Sequence, residues 1–298
     1  MPTRSLPAEA RLGRVTLAVS DLDAVLPFYR DVVGLRVRKR GDSRAVLGGV
    51  TDGGAGGGSV GDPVAADLLV LVETPDAGSR PPDAAGLFHT AFLLPSRGTL
   101  GDALARARDA DARLTGASDH RVSEAVYLRD PEGNGVELYR DRPREAWPEA
   151  DGEVQMDTLP LDVDALLADR AGEADAAGDP APSDTTVGHV HLEVTDLDAA
   201  EAFYVDAAGF EVRQRMGADA LFVAAGGYHH HVGLNTWNRR SEPASGTGID
   251  EFEVVVPSGD ALGAVREWLA DAGVEVTEDD GALVVRDPDG IGVRVVIE

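Results

Sequence analysis

Apolar and polar residues alternate over 15–19 (VTLAV) and again over 190–194 (VHLEV), the period of two expected of a half-buried strand. Each run leads into the same polar and apolar frame. Residues 21–35 read DLDAVLPFYRDVVGL and residues 196–210 read DLDAAEAFYVDAAGF, 175 positions later. The shared pattern D-L-D-A-x-x-x-F-Y-x-D-x-x-G predicts a helix with Asp21 or Asp196 as its N-cap. Phe28/Tyr29 and Phe203/Tyr204 fall on that helix, and Gly34 or Gly209 ends it. A second pair of repeats lies between these. GLFHTAFLLPS at 86–96 resembles GIDEFEVVVPS at 248–258, and amphipathic helices follow at 100–108 and 261–272. Both units close on a hairpin, YLRDPEGNGVEL at 127–138 and VVRDPDGIGVRV at 284–295. The D-P-x-G core makes a turn because proline presets φ and glycine allows positive φ.

Repeats at this spacing predict four units of strand, helix and three strands, at 12–75, 86–142, 187–240 and 246–298. The expected organisation is an N-terminal domain over 1–147, an acidic linker over 148–186 and a C-terminal domain over 187–298. The linker carries one short helical stretch at 161–167. The run at 48–63, GGVTDGGAGGGSVGDP, reads as a flexible glycine-rich loop.

Composition narrows the chemistry. The absence of cysteine excludes disulfides, thiolate metal sites and cysteine nucleophiles. Any metal must be held by His, Asp, Glu or main-chain oxygen, donors that suit Fe(II), Mn(II), Zn(II) or Ni(II). The net charge of −26, from 53 acids against 27 bases with Lys39 the single lysine, makes nucleic acid a poor partner. So dispersed an acidic shell suggests a salt-rich cytoplasm that screens the self-repulsion. No apolar run reaches the length of a membrane span, and MPTRSLPAEARLG lacks the apolar core of a secretory signal. A cytoplasmic protein, a homodimer or higher homo-oligomer, is expected.

All seven histidines lie in the second and third units. His89 and His189 occupy equivalent places on the first strands of those units, and Glu137 lies on the last strand of the second. Two histidines and a carboxylate from separate strands are the ingredients of a facial triad, with three metal positions left open. In the other two units the aligned positions carry Arg14 opposite His189, Glu251 opposite His89 and Arg294 opposite Glu137. Arginine cannot ligate a metal, so one metal site per chain is expected. His230 falls near the start of the last strand of the third unit, where alternation would send His229 and His231 to the opposite face. His191 shares the parity of His189, which would let it line the cavity, and is read as packing. Tyr139, Arg140 and Trp147 follow the metal strand and either close a pocket or anchor a solvated segment.

With these residues in place the chain resembles the vicinal oxygen chelate superfamily, which includes glyoxalase I, bleomycin- and fosfomycin-resistance proteins and extradiol dioxygenases. The run HRVSEAVYLRDPEGNGVE at 120–137 is similar to the signature of the catechol 2,3-dioxygenase type, departing at Ser118, and GGYHHHVGL at 226–234 resembles the strand bearing that family's active-site base. The resemblance implies an α+β fold in which four βαβββ modules form two paired-module open barrels. It also implies extradiol cleavage of a catechol-type aromatic diol with O2 as co-substrate. By position, His89, Glu137 and His189 would be ligands to Fe(II), with Mn(II) as the substitute. His230 would be the acid–base residue, and His120 and Tyr127 would hydrogen-bond the substrate. In the family's two-domain enzymes the site belongs to the last two modules. Here it spans modules two and three, which must share a barrel within the chain or exchange between chains of a dimer. Two other functions fit the superfamily, a glyoxalase-I-like metal-dependent lyase or isomerase and a metal-free binding protein of the bleomycin-resistance kind.

Overall fold

The D-L-D-A frame folds as its caps dictate. In the computed structural model, which describes residues 4–49, 66–170 and 180–298, the Asp21 carboxylate accepts from the Ala24 N–H, and that of Asp196 from the N–H groups of Asp198 and Ala199. A short α-helix follows in each copy, α1 (Leu22–Pro27) and α4 (Leu197–Glu201). Each then widens into a π-helical turn, Phe28–Val33 and Ala202–Ala207. The turn forms with Pro27 in one copy and without proline in the other, so proline is not its cause. Gly34 at φ 89° and Gly209 at φ 86° end the segments in the left-handed region, where a side chain would be strained.

The remaining elements complete four βαβββ modules. The first has β1 (Arg11–Val19), β2 (Arg36–Arg40), β3 (Arg44–Gly48) and β4 (Asp67–Glu73). The second has β5 (Gly86–Leu93), α2 (Arg97–Asp109), β6 (Gly116–Asp119), β7 (Ser123–Arg129) and β8 (Gly135–Asp141). The segment between the halves carries β9 (Glu149–Ala150), β10 (Glu153–Val154), β11 (Leu159–Pro160) and α3 (Val163–Ala168). The third module has β12 (Thr186–Glu193), β13 (Glu211–Met216), β14 (Ala220–Ala224) and β15 (Val232–Asn235). The fourth has β16 (Gly248–Val256), α5 (Gly259–Asp271), β17 (Thr277–Asp279), β18 (Ala282–Arg286) and β19 (Gly292–Ile297). Most of the glycine-rich run at 48–63 and residues 171–179 lie outside the described residues.

Strand order differs from the expected grouping into consecutive halves. One sheet runs β17-β18-β19-β16-β1-β4-β3-β2 and joins modules four and one. The other runs β11-β6-β7-β8-β5-β12-β15-β14-β13 and joins modules two and three. The halves 1–147 and 187–298 each contribute one module to each sheet. Modules two and three therefore share a sheet within one chain, and no exchange between chains is needed to bring them together. Consecutive modules are tied differently. The Tyr29 hydroxyl donates to Asp130 at 3.1 Å, and the Tyr204 hydroxyl donates to Asp287 at 2.9 Å. Each bond is buried and links an F-Y helix to the D-P-x-G turn of the next module. One hydrophobic core draws on all four modules, with Leu17, Phe92, Val190 and Phe252 among its buried members. Among the described residues, no helix is long and apolar enough to cross a membrane.

Candidate metal centre

Register assembles the site. In β5 and β12, antiparallel neighbours, Ala91 is paired with His189 and His89 with His191. In the parallel pair β5 and β8, Ala91 also faces Glu137, and Glu137 faces Tyr127 on β7. Paired residues share a face of the sheet, so Tyr127, Glu137, Ala91 and His189 form one row across four strands, with His89 two residues along from Ala91. The small Ala91 keeps the row's centre clear. Register irregularities on either side of His189 and His191 bend β12 at this point.

The row brings three ligand atoms together. His89 Nε2 lies 2.9 Å from Glu137 Oε2, His189 Nε2 lies 3.2 Å from the same oxygen, and the two Nε2 atoms are 3.3 Å apart. Ligand atoms each ~2.1 Å from one ion and ~90° apart lie ~3 Å from one another, so the spacing and the donor chemistry both fit a facial triad. All three residues are buried. Burial alone would raise the Glu137 carboxyl, but His189 and His89 beside it hold it well below the usual range. Burial pushes His189 down to about 4, against the opposing pull of Glu137. Near neutral pH Glu137 is thus ionised and His189 neutral, the states a metal requires. His189 Nδ1 is buried with no hydrogen-bond partner among the described residues.

The matching positions of the other sheet hold charges instead. Thr16 faces Glu251, and Glu253 faces Arg294, in the registers that join His191 to His89 and Ala91 to Glu137. These registers match the alignment of Glu251 with His89 and of Arg294 with Glu137, while Arg14 lies in the irregular stretch of β1 between Leu12 and Val15. Glu253 stands where Ala91 stands, and Arg14 Nε pairs with it at 2.9 Å. An ion pair occupies the place of the ligand row.

A cavity of about 390 Å³ opens over the triad, lined by His120, Tyr127, His191 and His230 as well as by Phe88, Phe222 and Trp237. His120 Nδ1 donates to the Asp157 carbonyl at 2.7 Å, which leaves Nε2 to accept from the Tyr127 hydroxyl at 2.5 Å. Burial, with Glu137 nearby, pushes the Tyr127 phenol well above its ordinary value, so it remains a donor. His230 is buried, and burial together with the surrounding histidines holds it well below the ordinary imidazole value.

Alternation does not govern the histidine run. Residues 228–231 precede β15 in irregular backbone, and His229 turns toward His230 instead of away from it, with the two Nδ1 atoms 2.8 Å apart. His229 Nε2 bonds Asp141 at 2.9 Å. His231 instead accepts from the Ala225 N–H and stacks on Tyr228. Tyr139, Arg140 and Trp147 do not line the cavity. Tyr139 packs behind His189, Arg140 pairs with Glu124, and Trp147 packs on His229. Gly188 is obligatory there, since a Cβ would lie 1.7 Å from the Tyr139 hydroxyl.

Three contributors escape a reading of the sequence. The linker supplies Met156, Asp157 and Thr158 to the cavity wall, held by a two-way bond between the Met156 backbone and Gln214. His191 lines the cavity, with its Nε2 accepting from Asn235. Asp141 sits four residues beyond Glu137 on β8, and that shared parity was the one available signal.

The profile of the Glyoxalase/Bleomycin resistance protein/Dioxygenase superfamily matches residues 11–138 and 186–295. A catechol-2,3-dioxygenase of Bacillus subtilis (strain 168) is 40% identical over 290 residues, covering 95% of this chain and 96% of that protein. Among solved structures, one from Bacillus subtilis subsp. subtilis str. 168 superposes with a TM-score of 0.65 at 15% identity, covering 98% of this chain and 86% of the other. Glyoxalase I from Zea mays superposes with a TM-score of 0.55 at 16% identity, covering 96% and 92%. These two share the fold.

Proposed function

This chain belongs to the Glyoxalase/Bleomycin resistance protein/Dioxygenase superfamily, and from that premise we propose that it is a non-haem iron(II) extradiol dioxygenase, opening the ring of a catechol-type diol with O2. The observation that carries this reading is the buried convergence of His89, Glu137 and His189 in a cavity also lined by His120, Tyr127 and His230. The three would hold Fe(II), with Mn(II) the nearest substitute for the same nitrogen and oxygen donors. When bound, the ion supplies the redox link between the aromatic diol and O2. A set of three protein donors leaves room for both reactants, whereas the glyoxalase alternative calls for a fourth donor, and the group of described residues that converges here has three.

The chain's own residues handle protons and position. Neutral His230 accepts a hydroxyl proton from the diol. Tyr127, kept protonated, turns its O–H from His120 Nε2 to a diol oxygen when substrate binds. Phe88, Phe222 and Trp237 offer apolar walls to the ring. The acidic surface suits a salt-rich cytoplasm.

Anaerobic reconstitution with Fe(II) in high salt, followed by catechol and then air, tests the reading. Oxygen uptake matched by a yellow ring-fission product, and absent in His89→Ala, is the expected result. Bound metal without uptake across a panel of vicinal diols would overturn it in favour of a glyoxalase-I-like lyase or isomerase.

A further inference from the structure

We propose that Asp141 and His229 form a relay that sets the tautomer of His230, leaving its Nε2 as a bare proton acceptor in the cavity before substrate arrives. The inference rests on the reading of His230 as the acid–base residue and adds two positioning residues to it.

The argument follows donors and acceptors. An ionised carboxylate only accepts. Asp141 Oδ2 accepts from the Tyr228 hydroxyl at 2.9 Å, and Oδ1 lies 2.9 Å from His229 Nε2. His229 must therefore carry a proton on Nε2. In a neutral imidazole the other nitrogen is then an acceptor. The atom facing it, 2.8 Å from His229 Nδ1, is His230 Nδ1, so His230 donates from Nδ1. Its Nε2 is left with a lone pair and makes no hydrogen bond to the described residues, while the ring lines the cavity. The chain is held on all sides. His229 is wholly buried between Trp147 and Tyr228, with ring centroids at 5.2 and 4.1 Å. Tyr139 donates to the Tyr228 oxygen at 2.9 Å, because the Tyr228 hydrogen is committed to Asp141. Two residues of β8 thereby fix a segment of module three.

The chemical consequence is one proton transfer. The diol O–H bond breaks as an N–H bond forms at His230 Nε2, and no electrons change hands. The opposite tautomer would offer the substrate a donor where an acceptor is needed. Asp141→Asn makes that tautomer accessible, since an amide can donate to His229 Nε2 and reverse both rings.

Long-range 1H–15N spectra of histidine-labelled full-length protein, metal-free and loaded with diamagnetic Zn(II), read the tautomers directly, with His229→Gln and His230→Gln for assignment. The expected result is His229 protonated on Nε2 and His230 on Nδ1, with the His230 pattern shifting toward Nε2–H in Asp141→Asn. In Fe(II) enzyme, Asp141→Asn should lose about a hundredfold in kcat with KM changed less than about threefold. A His230 proton on Nε2 in the wild type, an imidazolium at His229, or a His230 pattern unmoved by Asp141→Asn would each overturn the relay. The expected spectra in a protein that consumes no O2 with any diol would overturn the dioxygenase reading and leave the relay standing.

Discussion

At the scale of single residues the site depends on charge matched to burial. Among the described residues Glu137 is the carboxylate that lies between two buried histidines, and both hold its carboxyl well below the usual range. Glu137→Gln removes the charge with little change of shape. The variant should fold as the wild type does and lose at least about a hundredfold in Fe(II) or Zn(II) affinity, measured by competition with a chelating dye. Unchanged affinity would exclude Glu137 as a ligand. Residue identity was open to sequence reading here. His89, Glu137 and His189 converge as their places in the repeats implied, because equivalent positions on equivalent strands face the same way. The direction of His229 was hidden. It depends on whether residues 228–231 continue a strand, and nothing local to GGYHHH decides that.

At the scale of elements the two motifs explain each other. The F-Y helix and the D-P-x-G turn recur together because the tyrosine of one reaches the aspartate of the next across the interior. Burial pushes Asp287 up to about 6, although the N–H groups of Ile291 and Asp289 and the Tyr204 hydroxyl oppose it. Its folded value lies above its ordinary one, so the folded state binds the extra proton. The contribution of Asp287 is then most favourable below about pH 4 and is lost as pH rises through about 6. Asp287→Asn keeps an acceptor for both N–H groups without the charge. In denaturant unfolding, stability of the wild type relative to this variant should fall by up to about 3 kcal/mol between pH 4 and 7. A difference independent of pH would show that Asp287 is already ionised throughout.

At the scale of the whole molecule each half of the chain lacks what the other supplies. The segments 4–170 and 180–298 each hold one module of each sheet, and the central strand pairs, β1 with β16 and β5 with β12, run between them. Separately expressed halves would expose long unpaired central strands. Neither should give a cooperative unfolding transition alone, and co-expression should restore a complex that binds metal. A half that unfolds cooperatively by itself would contradict this account.

The sequence by itself determined the module plan, the helix caps and turns, and the identity of the residues that converge on the site. These follow from periodicity, from the φ that proline and glycine permit, and from the donor chemistry of His and Glu, all written within a few residues. Only the tertiary structure decided that module one pairs with four and two with three, that residues 156–158 of the linker wall the cavity, and that Asp141 reaches His229. Those contacts join positions tens to hundreds of residues apart. A strand's alternation records which face is buried but not which partner covers its edge, because backbone hydrogen bonds are the same whichever strand supplies them.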